Sequence, residues 1–233
     1  MTPPINAITW TFGAIPILIL CFRGLKTYRQ AGNPLSLMYV IIGFTVSLGF
    51  LLIGIPPFFT SNSSILIITY YLATISFLSS IQAQTWLLWF IGLRKYISLK
   101  KLLLASIIFA LVILGLQVGT SHAFVQYQPH LVQYIDAPDV LLFKSALYIL
   151  LALPISYFFI NQARIQKEWL IKAKSLTTAA VFLTVCAAAV STNILYKGGD
   201  SVSSSKILDI VFALILLGCL LPHRHTNTMP KNH

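Results

Sequence analysis

Residues 86–104 read Trp86-Leu87-Leu88-Trp89-Phe90-Ile91-Gly92-Leu93-Arg94-Lys95-Tyr96-Ile97-Ser98-Leu99-Lys100-Lys101-Leu102-Leu103-Leu104. An apolar run closes on two tryptophans, basic residues follow, and a second apolar run opens at once. A chain that leaves a bilayer, turns in the head-group layer and re-enters has this pattern, because basic loops resist translocation and tryptophan favours the interface. The pattern recurs along the sequence. Of 16 Lys and Arg, 13 fall in four segments: Arg23/Lys26/Arg29, Arg94/Lys95/Lys100/Lys101, Arg164/Lys167/Lys172/Lys174 and Arg224/Lys231. The alternate gaps hold only Lys144, Lys197 and Lys206, with four of the five acids: Asp136, Asp139, Asp200 and Asp209.

A hydrocarbon core about 30 Å thick takes about 20 apolar residues in a helix. Seven stretches qualify, over about 6–22, 35–55, 64–93, 102–119, 139–160, 175–195 and 204–222. The expected fold is therefore an all-α integral membrane protein. A seven-transmembrane helix bundle fills residues 1–222, with the N-terminus outside and a short basic cytoplasmic tail at 223–233. The third stretch exceeds the hydrocarbon thickness and must tilt or protrude. Gly32-Asn33-Pro34 breaks the chain inside, and Pro56-Pro57 ends the second span outside. Pro16 and Pro154 fall within spans and kink them.

Composition agrees with this reading: 57% hydrophobic and only 9% charged. The net charge of +11 does not imply a nucleic-acid partner, because it is dispersed over short loops beside apolar spans. The expected partner is the bilayer, with the basic loops against anionic head groups. MTPPINA lacks the basic n-region of a signal peptide, so the first span is retained. Cys21, Cys186 and Cys219 all lie in spans and form no external disulfide framework.

Three features are candidates for a site. In span three, Thr69, Ala73, Ser76, Ser80 and Gln84 recur at helical spacing, widened by Gln82 and Ser79, and form one polar stripe facing the bundle. It serves either as a ligand or pathway lining or as a close helix-packing surface. Lys144 and Asp209 are the ionisable residues set deepest in spans, each about one turn below the outer surface; they are candidate partners for each other, the alternative being that each snorkels to the interface. Lys206, three residues before Asp209, competes for that carboxylate. The third feature is the outer loop His122-Ala123-Phe124-Val125-Gln126-Tyr127-Gln128-Pro129-His130-Leu131-Val132-Gln133-Tyr134, in which Val-Gln-Tyr occurs twice around a proline turn. Alternating β-formers about such a turn predict a short hairpin. As a lid it would present His122, Tyr127, His130 and Tyr134 over the bundle mouth; otherwise its aromatics rest in the head-group layer.

His122, His130, Asp136 and Asp139 match no recognised metal-ligand spacing, and His223/His225 form a weak pair in the tail. Asn62-Ser63-Ser64 is a glycosylation sequon. Metalloprotease, nucleophile-elbow and P-loop motifs do not occur. The spans contain no histidine, which argues against haem held between helices. The last span is apolar from Ile210 to Leu221, which argues against a retinal lysine. No cofactor, metal or catalytic residue is expected.

The order of features resembles the seven-helix sensor region at the N-terminus of some bacterial histidine kinases and cyclic-nucleotide signalling enzymes. Three segments carry the likeness: the basic loop Arg23–Arg29 followed by Gly32-Asn33-Pro34-Leu35-Ser36-Leu37-Met38-Tyr39, the end of span three at Trp86-Leu87-Leu88-Trp89-Phe90, and the basic turn Leu93-Arg94-Lys95. The resemblance implies a location in the bacterial inner membrane and a receptor-like or sensor-like module that receives an apolar or small ligand, or a membrane signal, at the outer half of the bundle. Since span seven is followed only by the short tail, it also implies a cytoplasmic or membrane signalling partner. The alternatives are a small transporter or channel, in which the span-three stripe lines a path, and a structural or assembly subunit of a membrane complex. A membrane enzyme comes last.

Overall fold

Capping residues set the end of α1 and the starts of α2 and α3. The computed structural model describes residues 4–119, 124–128 and 131–190. Helix α1 (Ile5–Ala31) stops at Gly32, which takes the left-handed conformation (φ 63°) while its N–H returns 2.8 Å to the Tyr28 carbonyl. Asn33 then caps α2 (Pro34–Gly54) by accepting the Leu35 N–H at 3.0 Å, with Pro34 at the first helical position. That position tolerates proline because its N–H would have no helical partner. Pro56–Phe58 forms a 3₁₀ turn, and Asn62 caps α3 (Ser63–Leu88) through the Ser64 N–H at 2.9 Å.

Helix α3 runs into a π-helical turn at Trp89–Leu93. The Trp89 indole N–H reaches back 2.8 Å to the Ile97 carbonyl, and the Arg94 guanidinium lies 6.0 Å from the Trp89 ring. Then come α4 (Leu99–Gly119), strands β1 (Phe124–Gln128) and β2 (Leu131–Ile135), α5 (Pro138–Ile165) and α6 (Trp169–Val190). Six helices are long and apolar enough to cross a membrane. Together they make this an α-helical, multi-pass membrane architecture. Span seven, with Lys206 and Asp209, lies outside the described residues, as do His122 and His130.

Several helices outrun the expected spans: α1 continues to Ala31, α5 to Ile165, and α6 begins at Trp169. Hydropathy marks where hydrocarbon ends, whereas the helix ends where a cap ends it. The basic turns of α1 and α5 therefore remain helical beyond the apolar core.

The side chains are arranged for a bilayer. On α1, Ile5, Phe12, Ile15, Ile19 and Phe22 form an exposed apolar stripe; on α3, Ile65, Ile68, Leu72 and Ile75 do the same. Ser47, Ser76, Ser80, Gln84, Gln117 and Ser156 are buried. Lipid offers apolar side chains the same environment as a core does, so close approach and internal hydrogen bonds, not hydrophobic burial, hold such helices together. Glycines allow that approach between α1 and α2. A Cβ on Gly43 would stand 2.5 Å from the Cys21 sulfur, and one on Gly54 would stand 2.5 Å from Thr11 Oγ1 and 3.2 Å from the Ala7 carbonyl oxygen.

Three apolar clusters succeed one another along the bundle. Met38, Leu87, Ile155, Phe159 and Phe182 join α2, α3, α5 and α6 at the end carrying the basic turns. Leu78, Ile81, Ile113, Val140 and Leu147 join α3, α4 and α5. At the opposite end Trp10, Ile53, Leu66 and Ala73 receive Val132 from the hairpin.

Candidate functional site

The expected hairpin forms. β1 and β2 pair antiparallel with Val125 opposite Tyr134, Gln126 opposite Gln133 and Tyr127 opposite Val132, the register that the repeated Val-Gln-Tyr suggests. Successive strand residues point to opposite faces. Positions 132, 134 and, just past the strand, 136 therefore share a face, and that face lies on the helix ends.

Between them these three residues engage α1 to α5. Val132 is fully buried, and its backbone is held from both sides by Asn6 of α1: Asn6 Nδ2 donates to the Val132 carbonyl at 2.6 Å, and the Val132 N–H donates to Asn6 Oδ1 at 3.2 Å. Tyr134 donates its hydroxyl to the Ile53 carbonyl at the end of α2 (3.2 Å). Its ring stacks on Tyr70 of α3 (4.9 Å between centroids, 14°) and lies 5.9 Å from Trp10 of α1. Burial pushes the Tyr134 phenol above its ordinary value, so it stays a hydrogen-bond donor.

Asp136 is the centre of the site. One carboxylate oxygen, Oδ2, receives Lys144 Nζ of α5 at 2.5 Å and the Tyr70 hydroxyl of α3 at 2.6 Å. The other, Oδ1, receives Gln117 Nε2 of α4 at 2.9 Å. Gln117 Nε2 also approaches Thr74 Oγ1 at 3.3 Å. The Lys144 ammonium lies 3.3 Å from the Tyr70 hydroxyl and 5.2 Å from the Tyr70 ring centroid, a cation–π distance. The Asp136 side chain is wholly buried, and that of Lys144 is 15% exposed. A buried charge is retained only when paired and hydrogen-bonded. Here the carboxylate meets three donors on three helices.

The structure gives Lys144 a partner that the sequence did not single out. Its described partner is Asp136, eight residues earlier, and Asp209 lies outside the described residues. Asp136 had seemed a loop acid beside histidines, yet its oxygens are committed to Lys144, Tyr70 and Gln117. Sequence reasoning also passed over Tyr70, Gln117 and Asn6. Two usable signals were present: Asp136 continues the period-two face of Val132 and Tyr134, and Gln117 is a lone amide in an otherwise apolar span.

The span-three stripe lies deeper and is a separate feature. Ser76 donates to the Thr45 carbonyl of α2 at 2.8 Å, and Ser80 donates to the Phe77 carbonyl of its own turn at 2.6 Å. Gln84 Nε2 lies 3.4 Å from Ser80 Oγ, and Gln82 Oε1 accepts from Ser106 of α4 at 2.6 Å. These groups bond to backbone, to one another and to neighbouring helices, which is how polar residues join helices in lipid. Of the four lid residues, Tyr134 seats on the bundle and Tyr127 takes its place in β1.

Among the described residues, the other end carries Arg23, Lys26, Arg29, Arg94, Lys95, Lys100, Lys101, Arg164, Lys167, Lys172 and Lys174, with one acid, Glu168. The hairpin end carries Asp136, Asp139 and Lys144. No protein-family model matches the chain, and no curated protein is detectably related to it.

Proposed function

We propose that the chain is a receptor-like sensor module of a bacterial inner membrane. It would be a seven-helix bundle whose hairpin end faces outward and whose basic end faces the cytoplasm and a signalling partner. The buried Asp136–Lys144 pair carries this reading. It ties an extramembrane strand to three helices at once, so an event that moves the strand changes how those helices are held. The asymmetry of basic residues supports the orientation. Span seven rests on its apolar sequence, 204–222.

Coupling to the inner end is testable by electron-resonance distance measurement. Spin labels would be placed at Tyr96 and Ile165, both highly exposed beside the basic turns, after replacement of Cys21, Cys186 and Cys219. The expected result is that Lys144→Met shifts or broadens the inner-end distance distribution relative to the parent. Superimposable distributions would show that the clasp does not communicate with the inner face and would remove the sensor reading. The likeness to kinase-linked sensor regions points to a histidine kinase or similar output enzyme as the partner at the basic turns.

A further inference from the structure

Three donors carried by three helices converge on one carboxylate group. Lys144 Nζ, the Tyr70 hydroxyl and Gln117 Nε2 hold it at 2.5, 2.6 and 2.9 Å, with charge, a phenol and an amide directed at its two oxygens. The carboxylate belongs to Asp136, which lies between β2 and α5 in the short irregular segment 136–137, not on a helix. A helix-borne acid would be a fixed part of the bundle. An acid beside a hairpin moves with that hairpin whenever the hairpin moves. Lys144 cannot remain unpaired at that depth without cost, so any departure of Asp136 calls for another anion.

We infer that this is a binding site for small organic carboxylates, occupied in this conformation by Asp136 as an internal ligand. A second observation narrows the class. Gln117 is fully buried, and its Oε1 has no hydrogen-bond partner among the described residues, although its Nε2 is bound to the carboxylate. Aspartate offers nothing to that acceptor. A carboxylate with a hydroxyl on the adjacent carbon brings a donor close to the oxygens it presents to Gln117, so the site favours 2-hydroxycarboxylates over plain ones. This deepens the sensor reading by naming the chemistry of its outer signal, and it rests on that reading for the outward orientation.

The test removes the internal ligand and supplies a free one. Asp136→Ala in the full chain, in lipid nanodiscs, is titrated with sodium acetate, sodium glycolate and sodium chloride at matched ionic strength while thermal unfolding is followed. Acetate is expected to raise the midpoint by a few degrees over chloride, as a ligand of the folded state does. Glycolate should bind about threefold or more tightly than acetate, the worth of one added hydrogen bond. The response should vanish in Asp136→Ala/Lys144→Met. If the alanine variant cannot be recovered folded, folded yield from cell-free synthesis into liposomes, with acetate against chloride, becomes the readout. Equal behaviour in acetate and chloride in either format overturns the proposal. An inner-end distance change without carboxylate binding would leave the sensor reading standing and remove this one. Carboxylate binding without any inner-end change would do the reverse.

Discussion

Replacing both members of the Asp136–Lys144 pair should damage the fold less than replacing Asp136 alone. In Asp136→Ala, the Lys144 ammonium stays in an apolar setting without its counter-charge, and the Tyr70 hydroxyl and Gln117 amide lose their acceptor. Breaking a buried pair costs about 3–5 kcal/mol. The Lys144 side chain is 15% exposed and so not fully enclosed, which brings the charge penalty to about 2 kcal/mol. Two orphaned donors add about 2 kcal/mol more, giving about 4 kcal/mol in all. Lys144→Met leaves the Asp136 carboxylate still hydrogen-bonded by Tyr70 and Gln117, and should cost about 2 kcal/mol. The double variant carries no stranded charge and retains only the donor penalty, about 2 kcal/mol. The sum of the singles therefore exceeds the double by several kcal/mol, well outside the scatter of about 0.5 kcal/mol seen for independent sites. Equilibrium unfolding in mixed micelles, with all four proteins measured together, gives this cycle directly. A double variant as unstable as Asp136→Ala, or additive singles, would mean that the 2.5 Å contact does not hold the helices.

Four further outcomes follow from the same geometry. Asn6→Ala removes both bonds that pin the Val132 backbone and should cost about 1–3 kcal/mol, seen as faster hydrogen exchange at the Val132 amide with little change in α5. Gly54→Ala forces a methyl against Thr11 and the Ala7 carbonyl and should cost about 1–3 kcal/mol, whereas Gly115→Ala, with open space around its would-be Cβ, should leave the melting temperature unchanged or raised. Tyr134→Phe keeps the stack on Tyr70 and loses the bond to Ile53, a loss of about 1 kcal/mol. Because the Tyr134 phenol is raised in the folded state, its contribution is complete below the unfolded value near pH 10 and declines as pH climbs above it. The wild type should therefore lose stability faster than Tyr134→Phe above about pH 10, and parallel curves for the two proteins in an alkaline unfolding titration would contradict that assignment.

The sequence exposed the helices through two independent signals, apolar length and the placement of lysine and arginine, and the six described spans sit where those signals coincide. The caps were legible too: Gly32-Asn33-Pro34 breaks the chain as its backbone preferences require. The hairpin could be read because Val-Gln-Tyr repeats around a proline turn. The association of the hairpin with the bundle was not legible. Period-two alternation says which strand residues share a face, but not what that face meets. Lys144 stood out as an unexplained charge, yet its partner sits across a strand-to-helix junction, where neither the helical nor the strand repeat relates two positions. Serine and glutamine in span three announced an inward face; the carbonyls of Thr45 and Phe77 that they bond leave no trace in residue identity, because every residue carries one.

The grip of Asn6 on Val132 also bears on how the protein is made. Its two ends are separated by 126 residues. At synthesis rates of about 5–20 residues per second, roughly 6–25 s pass between the emergence of Asn6 and that of the backbone it holds. During that interval α1 already has α2 to pack against, while its Asn6 end awaits a strand that has yet to be made. The contacts of residues 132–144 thus form late among the described ones, and they need α5 threaded in its final direction so that Lys144 arrives beneath Asp136. A chain inserted with α5 reversed leaves Asn6 without its strand and Lys144 without its acid. The clasp therefore distinguishes correctly threaded chains from misthreaded ones, a check on biogenesis built from the same atoms as the site.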